Sequence, residues 1–276
     1  MTAPPREELE LVKLLLRPWQ VLCAPVFFHF ERLPADRPLL FVGNHSLYAL
    51  LDVPHLFVKL WEDHNIFLRT LGDHAHFKLP VWREFMERWG VVDGTPENCA
   101  ALFEAGESVL VFPGGAREVA KRKGERYQLV WKERLGFARM AIRYGATIVP
   151  FAAIGAEDAW DIVYDAEELS RSPVGPLVEG IYQSIGVAKD SVFPLAKGVG
   201  PTPFPRPERL YFSIGEPVPV SAYAGRADDE EACWALRRQV EGAVRKEMEF
   251  LLSEREWDVD RSFSSRLLRR ISKPRR

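Results

Sequence analysis

Short apolar runs separated by amphipathic stretches set the rhythm of this chain. Leu39 to Val42, Asn65 to Arg69, Ser108 to Phe112, Thr147 to Ala152 and Leu210 to Ile214 are bounded by Gly, Pro and Asn, and runs of that length predict buried strands, with a shorter strand and turn at Gly90 to Gly94. Helical periods fill the gaps. Pro54 places a helix start near Asp52 to Pro54, ahead of Leu56, Phe57, Leu60 and Trp61, and Asp52 suits its N-cap. Pro80 opens a helix bearing Val81, Phe85 and Trp89. Thr95-Pro96-Glu97 supplies a capping hydroxyl, a first-position Pro and an acid in the first turn of another, which Gly106 ends. A helix from about Lys132 to Tyr144 precedes the Thr147 strand, and Asp228 to Glu231 starts a last long one with Trp234, Leu236, Val240, Val244, Met248 and Leu251 on one face. Strands alternating with helices predict an α/β fold, a mostly parallel central sheet flanked by helices.

The two ends of the chain differ from this middle. Leu9 to Phe30 is apolar but broken by Glu10, Lys13, Arg17 and Pro18, so no spanning helix is predicted. Trp19 to Phe30 suits a helix lying in a membrane interface, or one packed across the body of the protein. After Asp260 no acidic residue occurs, while Arg261, Arg266, Arg269, Arg270, Lys273, Arg275 and Arg276 accumulate. The chain is therefore divided into an N-terminal amphipathic helical segment (1–35), an α/β domain (36–256) and a basic tail (257–276).

Charge and cysteine content narrow the class. With 37 basic against 39 acidic residues the formal net charge is -2, which gives no reason to expect a nucleic-acid partner. Cys23, Cys99 and Cys233 are widely spaced and odd in number, which fits a reducing compartment. The first residues lack the basic region of a secretory leader, so an intracellular location is expected. A basic tail of this kind suits anionic lipid headgroups.

Two loops at strand ends carry the candidate chemistry. His45 follows the first buried strand, where ligands bind in open α/β sheets, and a neutral imidazole there can take a proton from an incoming hydroxyl. Pro113-Gly114-Gly115-Ala116-Arg117-Glu118 closes the Ser108 strand and offers backbone amides and a guanidinium to a phosphate or a developing oxyanion. No Gly-x-Ser-x-Gly elbow, Walker loop or His-Glu-x-x-His motif is present. Asp73, His74 and His76 lie close together, but along an extended segment alternate residues share a face and no third ligand is evident to complete a site, so no metal or cofactor is expected.

Taken in order, Gly43-Asn44-His45 with Asp52, Phe112-Pro113-Gly114-Gly115-Ala116-Arg117 and Ile148-Val149-Pro150 resemble the lysophospholipid and glycerolipid acyltransferase superfamily. Lys132-Glu133-Arg134-Leu135-Gly136-Phe137-Ala138 and Pro205-Arg206-Pro207-Glu208-Arg209 are similar to its diacylglycerol acyltransferase and phytyl ester synthase branch. The resemblance covers roughly residues 36 to 220. It implies transfer of a fatty acyl group from acyl-CoA, as co-substrate, to a lipid hydroxyl. His45 would be the general base and Asp52 its partner, with Asn44, Gly114, Gly115, Arg117, Glu118 and Arg134 in substrate binding. With the N-terminal helices and the basic tail holding the site at the bilayer, a peripheral or monotopic protein on the cytoplasmic face of a membrane is expected. A lipid esterase or thioesterase using the same His45, and a catalytically silent lipid-binding protein, are the alternatives.

Three departures from the family pattern stand out. Six residues separate His45 from Asp52 where four are usual, and the usual position is Leu50. Seven helical steps span about 10 Å, too far for a hydrogen bond, so Asp52 requires a folded loop, or Glu118, Asp73 or Glu157 serves in its place. The Glu expected in the second loop is Gly114, and an Arg expected between Gly90 and Gly94 is missing. Loss of that anchor favours a neutral hydroxyl lipid as acceptor.

Overall fold

The computed structural model describes residues 4–78, 80–184, 186 and 191–272. Lys273, Arg275 and Arg276 of the basic tail lie outside them, as does the side chain of Arg270. The sheet has seven strands: β1 (Val26–Phe28), β2 (Leu39–Gly43), β3 (Leu68–Gly72), β4 (Val91–Asp93), β5 (Ser108–Val111), β6 (Thr147–Ile154) and, after a separate hairpin of β7 (Asp161–Tyr164) and β8 (Leu195–Lys197), β9 (Tyr211–Ile214). Their order is β1-β9-β6-β2-β5-β3-β4. All neighbours are parallel except β6 and β9, so β9 and β1 run against the rest.

Alternation along β2 explains the two-sided core. Leu40 and Val42 join one apolar cluster and Leu39 and Phe41 the other. On the first face lie α4 (Pro96–Glu104), α6 (Gly136–Tyr144) and the long α9 (Glu230–Trp257), which contribute Phe103, Phe137, Leu236 and Val240. The second face is covered by α2 (Asp52–His64), through Leu56 and Leu60. Thr95 caps α4 as expected, its hydroxyl accepting from Asn98 N–H at 3.1 Å.

Two elements depart from the sequence reading. Asn65 takes a left-handed conformation and ends α2, and the strand after it starts at Leu68 rather than Asn65. The N-terminal helix α1 (Arg6–Cys23) continues through Pro18 but stops at Ala24, and Val26–Phe28 forms β1 on the sheet edge instead of prolonging an interfacial helix. Pairing with β9 satisfies the backbone there, which outweighs the apolar periodicity. Among the described residues no helix is long and apolar enough to cross a membrane. The three cysteines are free and buried.

Candidate active site

The carboxyl ends of β2, β5 and β6 converge, and the loops that follow β2 and β5 build the site. Residues 44–51 leave β2 through a short turn, Leu47–Ala49, in which Tyr48 (φ 64°) and Ala49 (φ 55°) both take left-handed backbone. That reversal folds the chain back so that α2 begins at Asp52. After β5, Phe112 to Gly115 form a tight turn closed by Gly115 N–H donating to Phe112 O at 2.9 Å, and Gly115 has the positive φ (53°) that suits glycine. The short α5 (Ala116–Val119) follows and packs against the Leu47–Ala49 turn.

His45, on the first loop, meets the second, its ring stacked on Phe112 with centroids 3.7 Å apart and planes within 4°. Burial, aided by the positive charge of Lys121 and by His76, pushes its pKa down to about 3. The imidazole is therefore neutral at pH 7, the form a general base needs. Its Nδ1 is buried and accepts or donates no hydrogen bond.

Asp52, the first residue of α2, is buried, with its carboxyl pKa raised by burial and partly restored by Ser46 and by Val53 N–H, which donates to Oδ1 at 2.9 Å. No hydrogen bond joins it to His45 Nδ1. The folded loop buries Asp52 and the Nδ1 of His45, but the expected His45–Asp52 hydrogen bond through Nδ1 is not made.

Other expected substrate-binding residues are occupied by the protein itself. The Asn44 amide donates to Ala153 O at 2.8 Å and accepts from Ala153 N–H at 2.9 Å, pinning the end of β2 to β6. Arg117, expected to meet a phosphate, is only 6% exposed and forms a two-pronged pair with Glu125, while Nη1 also reaches Ala120 O at 3.3 Å. Arg134 is exposed and lies over the glycine turn, donating to Pro113 O at 3.0 Å. Glu118 is fully buried against the turn and does not reach solvent.

A buried charge cluster completes the site. Lys121, 2% exposed, lies 3.1 Å from Glu157 and donates to Gln128 O at 2.6 Å. Glu157 in turn accepts from Tyr127 N–H at 2.6 Å. Lys121 escaped the sequence reading because Arg117 to Lys123 looks like an ordinary solvated basic run; only the adjacent apolar pair Val119-Ala120 hints at burial. Asp73, His74 and His76 each have separate partners: Asp73 caps Ala75 N–H at 3.0 Å, His74 pairs with Asp93, and His76 Nδ1 accepts from Trp82 Nε1 at 3.1 Å. Among the described residues no group of three or more His, Cys, Asp or Glu is placed to hold a metal ion.

Comparison with known proteins bears on this geometry. The model of the family described as Acyltransferase matches residues 25–154, which span β1, both site loops and β6. The chain belongs to the lysophospholipid and glycerolipid acyltransferase superfamily. Among relatives of this superfamily member, the chloroplastic phytyl ester synthase 2 of Arabidopsis thaliana is 31% identical over 88% of this chain and 36% of its own length. An uncharacterised protein of Mycobacterium tuberculosis is 32% identical over 82% of this chain and 61% of its own. This chain thus spans about a third of the plant enzyme. The crystal structure of PlsC, the 1-acyl-sn-glycerophosphate acyltransferase of Thermotoga maritima, has the same fold, with a TM-score of 0.55 at 18% identity, over 90% of this chain and 83% of that one. The sequence pattern places this superfamily member with the phytyl ester synthase and diacylglycerol acyltransferase branch.

Proposed function

We propose that this protein transfers a fatty acyl group from a thioester donor, acyl-CoA, to the hydroxyl of a neutral lipid at a membrane surface. The observation that carries the reading is His45: a neutral imidazole held at the strand end, on the first motif loop and stacked on the second. His45 removes the proton from the acceptor hydroxyl as its oxygen attacks the thioester carbonyl carbon. The tetrahedral oxyanion is met by donors of the glycine turn, Gly114 N–H and Arg134. As the carbonyl re-forms, the C–S bond breaks and the thiolate takes the proton back from the imidazolium, so no acyl-enzyme is needed. Asp52 stabilises the imidazolium in this scheme once substrate draws the two together.

A neutral acceptor is supported by Arg117. Its guanidinium is committed to Glu125, so the motif arginine offers no free fork to an acceptor phosphate.

Membrane docking is supported by the exposed apolar faces at the same end of the sheet as His45. Because β9 is antiparallel, its start lies beside the end of β6. There Arg266 ties α10 (Phe263–Ser272) to Leu22 O at the end of α1 and to Pro207 O. Leu267, Leu268 and Ile271 of α10 are exposed beside Arg269, and across the site α3 (Pro80–Arg88) exposes Val81, Trp82 and Phe85.

The test is acyl transfer by purified protein with labelled long-chain acyl-CoA in vesicles containing diacylglycerol, a long-chain alcohol or a lysophospholipid. The expected result is an ester of a neutral acceptor, absent with His45→Ala. Free fatty acid as sole product overturns the reading in favour of a hydrolase, and a lysophospholipid product overturns the neutral acceptor.

A further inference from the structure

Glu118 is 0% exposed, and neither carboxyl oxygen has a hydrogen-bond partner. A carboxyl buried without a hydrogen-bond partner costs stability, offset here only in part by the charge of Lys121. Its surroundings give a reason to keep it. The peptide N–H groups of His45 and Val130 face this carboxyl, although neither closes a well-aligned hydrogen bond to it. On its other side, a β-carbon added to Gly114 would overlap the Glu118 carboxyl and its β-carbon. The Glu118 side chain therefore fills the space that a side chain at position 114 would enter, and does so between the backbone of the catalytic histidine and the glycine turn. The superfamily pattern carries a glutamate at position 114, where this chain has glycine.

We infer that Glu118 is a positioning residue: its side chain, supplied from α5, holds the His45 loop in register with the Gly114–Gly115 turn. Glu118 touches no substrate in this scheme. The inference rests on the proposed chemistry of His45 for its kinetic consequence, but the physical link between the two loops does not.

The experiment compares Glu118→Met, Gly114→Glu and the double variant Gly114→Glu/Glu118→Ala with wild type. Three readouts are taken: thermal midpoint, kcat and KM for acyl transfer, and amide hydrogen exchange of segments 44–49 and 112–117. For Glu118→Met, which keeps the volume and removes the buried carboxyl, the midpoint is expected to hold or rise. Its kcat should fall at least tenfold with KM within about threefold, and exchange should quicken in both segments. Gly114→Glu alone should clash and lose both activity and stability. The double variant, with the carboxyl moved to the other side of the same space, should recover at least a third of wild-type kcat and restore the protection. Wild-type kcat and exchange in Glu118→Met would overturn the inference, as would a kcat loss that merely follows a fall in the midpoint, or a folded double variant without recovery. If wild type transfers no acyl group, the functional reading falls while the exchange data still decide the coupling of the loops.

Discussion

The Arg117 guanidinium lies fork to fork on the Glu125 carboxylate, with Nη2 2.5 Å from Oε1 and Nη1 3.0 Å from Oε2. Glu125 also accepts from Arg122 N–H at 2.8 Å, so the carboxylate ties the end of α5 to the loop that follows. Its pKa is lowered by these partners against the cost of burial. An arginine that reads in sequence as a ligand-binding group is here a structural pin.

Replacing Arg117 with Lys should therefore act on stability before it acts on substrate binding. Lysine cannot make the second prong, and a buried pair left incomplete costs about 2 kcal/mol or more. Chemical denaturation should show that loss, with KM for a neutral acceptor nearly unchanged in the folded fraction. Glu125→Gln should free the guanidinium and improve binding of a phosphate-bearing acceptor, measured as a lower KM for a lysophospholipid.

The pH dependence has two opposed limbs. His45 is depressed to about 3 in the folded protein, below its ordinary 6.5, so the unfolded chain binds the extra proton between those values. Stability from this group is present above about 6.5 and is lost as pH falls toward 3, and His45→Ala should flatten that limb. Glu118 is raised by burial to about 8 from an ordinary 4.5, so the folded protein keeps its proton over that interval. Stability from Glu118 is present below about 4.5 and is lost as pH rises through 8, and Glu118→Gln should flatten that limb. Denaturant titrations at a series of pH values measure both slopes.

Lys121→Met should leave Glu157 buried without its cation, and breaking such a pair by removing one partner costs roughly 3–5 kcal/mol. It should also raise the His45 pKa, since the Lys121 charge is one of the causes that lower it. Nuclear magnetic resonance titration of His45 reads the second effect. An unchanged or lowered value would show that burial alone sets the imidazole.

Asn44→Asp should break the clamp on β6. A carboxylate can still accept from Ala153 N–H, but it cannot donate to Ala153 O, and an unsatisfied buried acceptor costs about 1–3 kcal/mol. The expected outcome is a lower thermal midpoint together with reduced turnover, because the residue anchors the strand end from which His45 is held.

Strand and helix positions follow from periodicity because burial on two faces demands continuous apolar strands, and β2, β5, β6 and β9 appear within a residue or two of where their apolar runs lie. The exceptions are local. Asn65 to Phe67 is apolar enough for a strand, but Asn65 ends α2 in a left-handed turn and delays β3. Val26 to Phe28 reads as a helix continuation until β9, far away in sequence, offers it a ladder.

The sequence by itself determined the fold class and where the two strand-end loops fall, because strand ends marked by Gly-Asn and Pro-Gly-Gly are short-range features. Only the tertiary structure decided what the neighbouring polar residues do. Asn44 faces Ala153, Arg117 faces Glu125, Lys121 faces Glu157 and Glu118 fills the space beside Gly114. A side chain's role depends on which partner reaches it first in the folded core. That is a matter of three-dimensional distance and burial, which neither residue type nor spacing along the chain records.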